Sequence, residues 1–139
     1  MNKESKPGAQ HILVVDDDRL ILEILEDVLT ASGLFVTAIR DGKQALDLIR
    51  EEHFDLVLTD IGMPNIDGWE IAKRSRAKQP RIPVILLTGW GTQFEEADLK
   101  AQGVDLVLSK PCDLGQILTA VEEVMDISAN HSSRQRKSQ

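Results

Sequence analysis

The chain has 139 residues, of which 42% are hydrophobic and 4% aromatic, and its formal net charge at pH 7 is −7. This length suffices for one domain with a buried core. No apolar run approaches the roughly 20 residues of a membrane-spanning helix, and the start MNKESKPGAQ lacks the apolar segment of a signal peptide. Cys112 is the only cysteine, which excludes a disulfide framework and a cysteine-based zinc site. We therefore expect a cytoplasmic protein with no membrane association.

The charge is unevenly distributed along the chain. Residues 1–10 carry +1 and residues 127–139 carry +3, which leaves −11 for residues 11–126. Such an acidic part argues against nucleic-acid binding by the folded domain and suits a bound cation. We predict a folded domain over 11–126, a disordered N-terminus over 1–10, and a disordered polar and basic tail or truncated linker over 127–139.

Five apolar segments of strand length alternate with five segments of helical periodicity. The strand segments are 11–15, 35–39, 54–59, 82–87 and 105–109, and the helical segments are 19–32, a stretch after 42, 69–78, 92–102 and a stretch after 113. Continuous apolar runs are typical of strands that are covered on both faces. The alternation predicts an α/β fold, a flavodoxin-like (βα)5 arrangement with a five-stranded parallel sheet, order 2-1-3-4-5, and helices on both faces.

Polar residues stand at the ends of four of these strands. Asp16 and Asp17 follow the first strand, Asp60 the third, Thr88 the fourth and Lys110 the fifth. In an open α/β sheet the ligand lies beyond the carboxyl ends of the strands, where the strand order reverses. We therefore expect three carboxylates, a hydroxyl and an ammonium along one edge of the sheet.

Three neighbouring carboxylates need compensation. Two unit charges about 4 Å apart repel by about 4 kcal/mol at an effective dielectric constant of about 20. Mg²⁺ fits this edge because it takes oxygen ligands, including one or two carboxylates, and the carbonyl of Gly62 is a plausible further ligand. With the cation bound, Asp60 is a nucleophile that can attack phosphorus, while Lys110 and Thr88 would stabilise the phosphoryl oxygens.

Four motifs, taken together, resemble the receiver domain of two-component response regulators over roughly residues 11–126. These motifs are Val14-Val15-Asp16-Asp17-Asp18, Thr59 to Pro64 with Asp67-Gly68, Leu87-Thr88, and Lys110-Pro111. The resemblance implies that Asp60 accepts a phosphoryl group from a sensor histidine kinase or a histidine phosphotransfer protein. It also implies that Asp16, Asp17, Asp60 and the Gly62 carbonyl hold Mg²⁺, and that the Lys110-Pro111 peptide is cis.

A receiver domain of this kind is a signalling phosphoprotein in a phosphorelay. The resemblance implies that it is not an enzyme acting on other substrates, and that it catalyses only its own phosphorylation and dephosphorylation at an aspartyl phosphate. Phosphorylation is expected to shift the loop after the fourth strand and the surface formed by helix four, strand five and helix five. That shift would control a downstream protein, with the domain acting as a monomer or as a phosphorylation-dependent dimer.

Three positions depart from the family pattern. Val107 stands where the family often has Tyr or Phe three residues before the lysine, so an aromatic rotamer switch is absent. Cys112 replaces an aromatic or bulky apolar residue. Trp90, after Thr88, is bulkier than the residues often found there, and it is a candidate gate for access to Asp60.

Several residues have structural interpretations. Asp18 and Asp67 are expected as helix caps, and His11 and His53 as surface residues at strand margins.

Two alternatives to a phosphorylated receiver remain open. A haloacid-dehalogenase-type Mg-dependent phosphatase would use an Asp-x-Asp resembling Asp16 and Asp18, but the Thr or Val that it expects is absent at Leu20. A receiver-like binding module that is not phosphorylated is suggested only by Val107 and the loop after Thr88.

Overall fold

Five apolar runs form one parallel sheet in the computed structural model, which describes residues 9–63, 66–89, 96–110 and 113–137. The strands are β1 (His11–Val15), β2 (Phe35–Ile39), β3 (Leu56–Asp60), β4 (Val84–Thr88) and β5 (Leu106–Ser109). Their order is β2-β1-β3-β4-β5, and each neighbouring pair is parallel. The predicted fold class and strand order are confirmed.

Five helices connect and follow the strands. They are α1 (Arg19–Ala31), α2 (Gly42–Glu51), α3 (Gly68–Arg76), α4 (Glu96–Ala101) and α5 (Leu114–Lys137). Four of them begin at aspartates whose side chains accept hydrogen bonds from the first turn: Asp18 for α1, Asp41 for α2, Asp67 for α3 and Asp113 for α5. Such N-caps satisfy backbone N–H groups that have no partner within the helix.

The strands are apolar along their length because helices cover both faces of the sheet. On one face Ile12, Val14 and Leu58 pack with residues of α1 and α5. On the other face Leu13, Val15 and Val57 pack with residues of α2 and α3. Successive strand side chains point to opposite faces, so an unbroken apolar run supplies both layers of core.

Two strands end one residue later than predicted. β3 includes Asp60 and β4 includes Thr88, so both polar residues belong to the hydrogen-bonded ladder, with Asp60 paired to Leu87 and Thr88 paired to Ser109. β3 and β4 each begin two residues later than predicted, and β5 begins one residue later. Ile82 N donates to Ser75 O (3.1 Å) and not to a neighbouring strand.

The last helix extends into the segment 127–139, for which disorder or a truncated linker is predicted. The helical backbone of α5 continues to Lys137, well beyond residue 126. No Gly or Pro occurs between Ile127 and Lys137, and a helix that has already formed can therefore propagate through this polar stretch. The boundary of the folded domain at residue 126 stays a prediction, and residues 1–8 lie outside the described part.

Candidate functional site

Three aspartates meet at the carboxyl edge of the sheet. Carboxylate oxygens of Asp16, Asp17 and Asp60 all lie within 4.8 Å of one another. The proximity follows from strand order, because β1 and β3 are neighbours whose last paired residues are Val15 and Thr59. The sequence-based expectation that these side chains cluster is met.

The backbone holds two of the three carboxylates in place. Asp16 Oδ1 accepts a hydrogen bond from Asp18 N (2.9 Å), and Asp60 Oδ1 accepts one from Ile61 N (3.0 Å). Asp16 is fully buried and Asp60 is only 9% exposed, whereas Asp17 is exposed. Asp60 therefore stands in a nearly closed position that keeps a small opening to solvent.

Lys110 reaches across the sheet edge to both buried carboxylates. Its Nζ lies 2.9 Å from Asp16 Oδ2 and 3.3 Å from Asp60 Oδ1. Lys110 follows β5, which is separated from β3 by β4, and its backbone N donates to Thr88 O at 2.6 Å. One side chain thus connects the ends of β5, β3 and β1.

Burial and the neighbouring charges shift the pKa of both Asp16 and Lys110. Burial raises the pKa of the Asp16 carboxyl, and the hydrogen bonds from Asp18 N and Lys110 offset this only in part. Burial also lowers the pKa of the Lys110 ammonium, but the hydrogen bond and charge of Asp16 and the charge of Asp60 outweigh it, so that pKa is raised. The Lys110 side chain therefore stays protonated. Its single positive charge does not fully compensate the three neighbouring carboxylates.

Thr88 lies at the same carboxyl edge of the sheet as the three aspartates and Lys110. It is the last residue of β4, next to β3, and it is 2% exposed. Its strand partner Ser109 immediately precedes Lys110. The four strand ends named from the sequence are therefore brought to one edge, with Thr88 and Lys110 on the β4–β5 side and the aspartates on the β1–β3 side.

The turn between β3 and α3 depends on Gly68, which belongs to one of the four family motifs. A Cβ on Gly68 would lie 2.6 Å from Asp60 O and 2.9 Å from Leu86 Cδ2. Gly68 N donates to Ile61 O (3.0 Å), which brings the start of α3 against the end of β3. A Cβ on Gly62 would meet nothing within 4 Å, so packing does not require a glycine at that position.

A family model described as "Response regulator receiver domain" matches residues 12–122, which is most of the chain. The chain belongs to the response regulator receiver domain family.

Individual relatives agree with this assignment. The receiver domain is 34% identical over 119 residues to the transcriptional regulatory protein GlrR of Escherichia coli K12, covering 86% of this chain but only 27% of that protein. It is 30% identical over 116 residues to the polar-differentiation response regulator DivK of Brucella ovis, covering 82% of this chain and 94% of DivK. This chain therefore spans about a quarter of the length of GlrR and nearly all of DivK.

Solved structures match the whole fold of the receiver domain. A CheY-like receiver domain protein from Methanospirillum hungatei JF-1 superposes with a TM-score of 0.82 at 27% identity, covering 89% of this chain and 99% of that one. A receiver protein from Sinorhizobium medicae WSM419 gives a TM-score of 0.74 at 30% identity, with 87% and 98% covered. Neither these matches nor the family model supports the phosphatase alternative or the unphosphorylated binding module.

The donor set of the receiver domain fits a hard divalent cation. Receiver domains bind Mg²⁺ at an acidic pocket, and here three carboxylates present oxygen atoms to a common point. Among the described residues, this trio is the one group of metal-binding side chains with such geometry. Oxygen ligands of this kind are those that Mg²⁺ prefers.

Asp18 and Asp67 serve as caps, as expected. Asp18 Oδ1 accepts from Leu20 N (3.0 Å) and Ile21 N (3.3 Å), and Asp67 Oδ1 accepts from Glu70 N (3.1 Å). The prediction for His11 was wrong, because His11 is half-buried. Its ring lies 4.4 Å from that of Phe35 and 4.5 Å from that of Phe54.

Other sequence-based predictions fall on parts of the chain that are not described. Trp90, Pro111 and Cys112 lie outside the described residues, so the gating role and the cis peptide stay predictions. Within the described residues no helix is both long enough and apolar enough to cross a bilayer.

Proposed function

We propose that Asp60 is the phosphoacceptor of this receiver domain, with the phosphoryl group coming from the histidine of a sensor kinase or a phosphotransfer protein. A carboxylate oxygen of Asp60 attacks phosphorus and forms a C–O–P linkage as the P–N bond to the donor imidazole breaks. The imidazole leaves with the bonding electron pair. The observation that carries the proposal is the position of Asp60 Oδ1, 3.3 Å from the Lys110 ammonium and beside Asp16.

The residues around Asp60 have distinct roles in this proposal. Asp16, Asp17, Asp60 and the Gly62 carbonyl would hold Mg²⁺, which supplies positive charge to the phosphoryl oxygens. Lys110 holds the Asp60 carboxylate before transfer and pairs with a phosphoryl oxygen afterwards. Thr88, at the same edge, would donate a hydrogen bond from its hydroxyl to another phosphoryl oxygen.

The output would pass through the ends of β4 and β5. Val107 pairs with Leu86 in the sheet and is partly buried against the α2–α3 side of the core. With no aromatic side chain there to change rotamer, we propose that the hydrogen bond from Lys110 N to Thr88 O (2.6 Å) couples the two strand ends. A phosphoryl group bonded to both side chains would therefore move these ends together and alter the surface of α4, β5 and α5.

The partner that donates the phosphoryl group would dock beside α1. The large apolar side chains that are exposed in the described part of the chain are Leu20 (66%), Ile24 (40%) and Leu114 (39%). Leu20 and Ile24 lie one turn apart on α1, which starts just after the acidic cluster, and Leu114 starts α5. We propose that this apolar patch receives the cytoplasmic histidine-containing partner.

The test is phosphorylation by a small acyl phosphate. With acetyl phosphate and Mg²⁺, the intact mass of the wild type should increase by one phosphoryl group. Asp60→Asn should show no adduct, because the amide is not a nucleophile. Asp18→Asn is the matched control: it makes the same change of charge in the neighbouring loop, and Asn also caps helices, so it should still be phosphorylated. An adduct on Asp60→Asn, or none on the wild type, contradicts the proposal.

A further inference from the structure

A basic cleft lies between α2 and α3, on the side of the domain where these helices cover the sheet. Its volume is about 420 Å³. Lys43 and Arg50 of α2 line one wall, and Arg74 and Lys78, from α3 and the turn after it, line the other. Leu46 and Ile49 provide apolar surface between them.

The charge of this basic cleft is opposite to that of the chain as a whole. Four cationic side chains and one carboxylate, Asp47, line it, whereas the chain carries −7. A surface cleft that is lined mainly by cations raises the local concentration of anions. The sign of the charge therefore indicates a negatively charged ligand.

The ion pairs within the basic cleft are weak and replaceable. Arg50 contacts Asp47 (3.3 Å) and Glu51 (3.5 Å), and Arg74 contacts Glu70 (3.1 Å), with both arginine side chains well exposed to solvent. Exposed ion pairs of this type contribute about 0–1 kcal/mol to the free energy of unfolding. The Arg74 contact uses only Nε, one part of a guanidinium fork that has five N–H donors. Lys78 Nζ donates to Arg50 O (3.2 Å), which joins the two walls.

We propose that the basic cleft binds a phosphorylated small molecule of nucleotide size. Two arginines and two lysines supply bidentate and point-charge contacts to phosphate oxygens. The volume lies within the range of about 300–1,000 Å³ that is usual for small-molecule sites, and the partly buried Leu46 offers apolar surface to a ring. An acidic peptide is less favoured, because the cations face each other across a compact space and do not extend along one helix face.

The basic cleft is separate from the acidic cluster at Asp60, so this proposal does not depend on phosphorylation of the domain. Isothermal titration without Mg²⁺ should compare inorganic phosphate, pyrophosphate, AMP, ATP and a synthetic Asp/Glu-rich peptide as probes. We expect saturable binding of pyrophosphate and the nucleotides, with ATP tighter than inorganic phosphate by at least tenfold. Absence of saturable binding by every phosphate compound overturns the proposal, and so does tighter binding of the peptide than of ATP.

Matched variants locate the binding. Arg50→Ala combined with Arg74→Ala should weaken ATP binding at least tenfold, whereas Arg19→Ala should leave it within twofold. Arg19 is a suitable control because it is also an exposed helical arginine paired with a glutamate four residues away, Glu23 (3.4 Å). Asp47→Ala removes the one carboxylate of the lining and should tighten ATP binding severalfold. Equal affinity in the wild type and the double variant places the ATP elsewhere and overturns the proposal.

Discussion

At the scale of single residues, Lys110 is the side chain that lets two carboxylates stay together at the sheet edge. Asp16 has no exposure to solvent, so its charge depends on the Lys110 ammonium and on Asp18 N. Removing one partner of a buried ion pair usually costs more than the pair contributes, because the remaining charge has neither water nor a counterion. The lysine therefore has a structural role in the receiver domain before any phosphoryl group arrives.

The two glycines of the β3–α3 turn should respond differently to alanine. Gly68→Ala should lower the free energy of unfolding by about 1–3 kcal/mol, because its Cβ would lie 2.6 Å from Asp60 O and overpack the turn. Gly62→Ala is the matched control, and we expect a change within about 0.5 kcal/mol, since its Cβ meets no atom within 4 Å. Urea unfolding of both variants measures this difference. Equal losses would contradict the packing role assigned to Gly68.

His11 should make stability depend on pH. Burial lowers the pKa of its imidazole below the usual 6.5, although Glu52 and Asp55 act in the opposite direction. The unfolded chain then binds the proton more tightly, so the contribution of His11 to stability is complete above about pH 6.5 and is lost as the pH falls through the lowered pKa. The free-energy difference in urea unfolding between the wild type and His11→Gln should therefore shrink from pH 8 to pH 5. A difference that stays constant over that range would contradict this assignment.

At the scale of residues, the sequence predicted correctly which polar side chains gather at the edge of the sheet, because each follows an apolar strand. Three aspartates, a threonine and a lysine at strand ends could be assigned to one edge from their positions alone. The close contact of Gly68 with Asp60 O could not, because it depends on how α3 packs against β3. The burial of His11 likewise depends on strand order, which places Phe35 and Phe54 on either side of it.

At the scale of elements, α1 has one apolar face buried against the sheet and further apolar side chains on its exposed side. Leu22, Leu25 and Leu29 are buried against the sheet, while Leu20 and Ile24 point away from it. Exposed apolar residues one turn apart have no function in the stability of the domain itself. Their position just after Asp16 and Asp17 is the reason why we propose docking of the partner there.

The variant Leu20→Glu should distinguish docking of the partner protein from the phosphorylation reaction itself. We expect phosphotransfer from a histidine-containing partner protein to slow at least tenfold, because a charge replaces a side chain that is 66% exposed on the docking surface. Phosphorylation by acetyl phosphate should remain within twofold of the wild type and serves as the internal control. Parallel loss of both reactions would show that the substitution disturbs the acidic site, and an unchanged rate with the protein partner would contradict docking at α1.

The elements themselves were predictable to within a few residues, because apolar runs bounded by Gly, Pro and Asp mark strands and helices independently of tertiary contacts. The strand ends were less predictable. Whether Asp60 and Thr88 join the ladder depends on Leu87 and Ser109 in neighbouring strands. The basic cleft was also invisible in the sequence, since its two walls come from helices whose relative position only the packed core defines.

At the scale of the whole molecule, stability should depend on Mg²⁺. A cation that binds only the folded state adds about 2.7 kcal/mol at a concentration 100 times its dissociation constant. Thermal unfolding should therefore shift upwards with added MgCl₂ in the wild type and much less in Asp17→Asn. Asp41→Asn is the matched control: it makes the same change of charge at the N-cap of α2 and should keep the wild-type response. An equal Mg²⁺ response in Asp17→Asn would contradict the proposed ligand set.

The contact between Lys110 and Asp16 also bears on how the receiver domain folds. It joins residues 94 positions apart in the chain, and it crosses β4 and β3 on its way to β1. Contacts of such long sequence separation form late, because the loop-closure entropy must first be offset by the intervening strands. A nascent chain that still lacks β5 already holds all three aspartates but has no ammonium to place among them. The phosphoacceptor environment is therefore completed only when the last strand joins the sheet, which ties competence for signalling to completion of the fold.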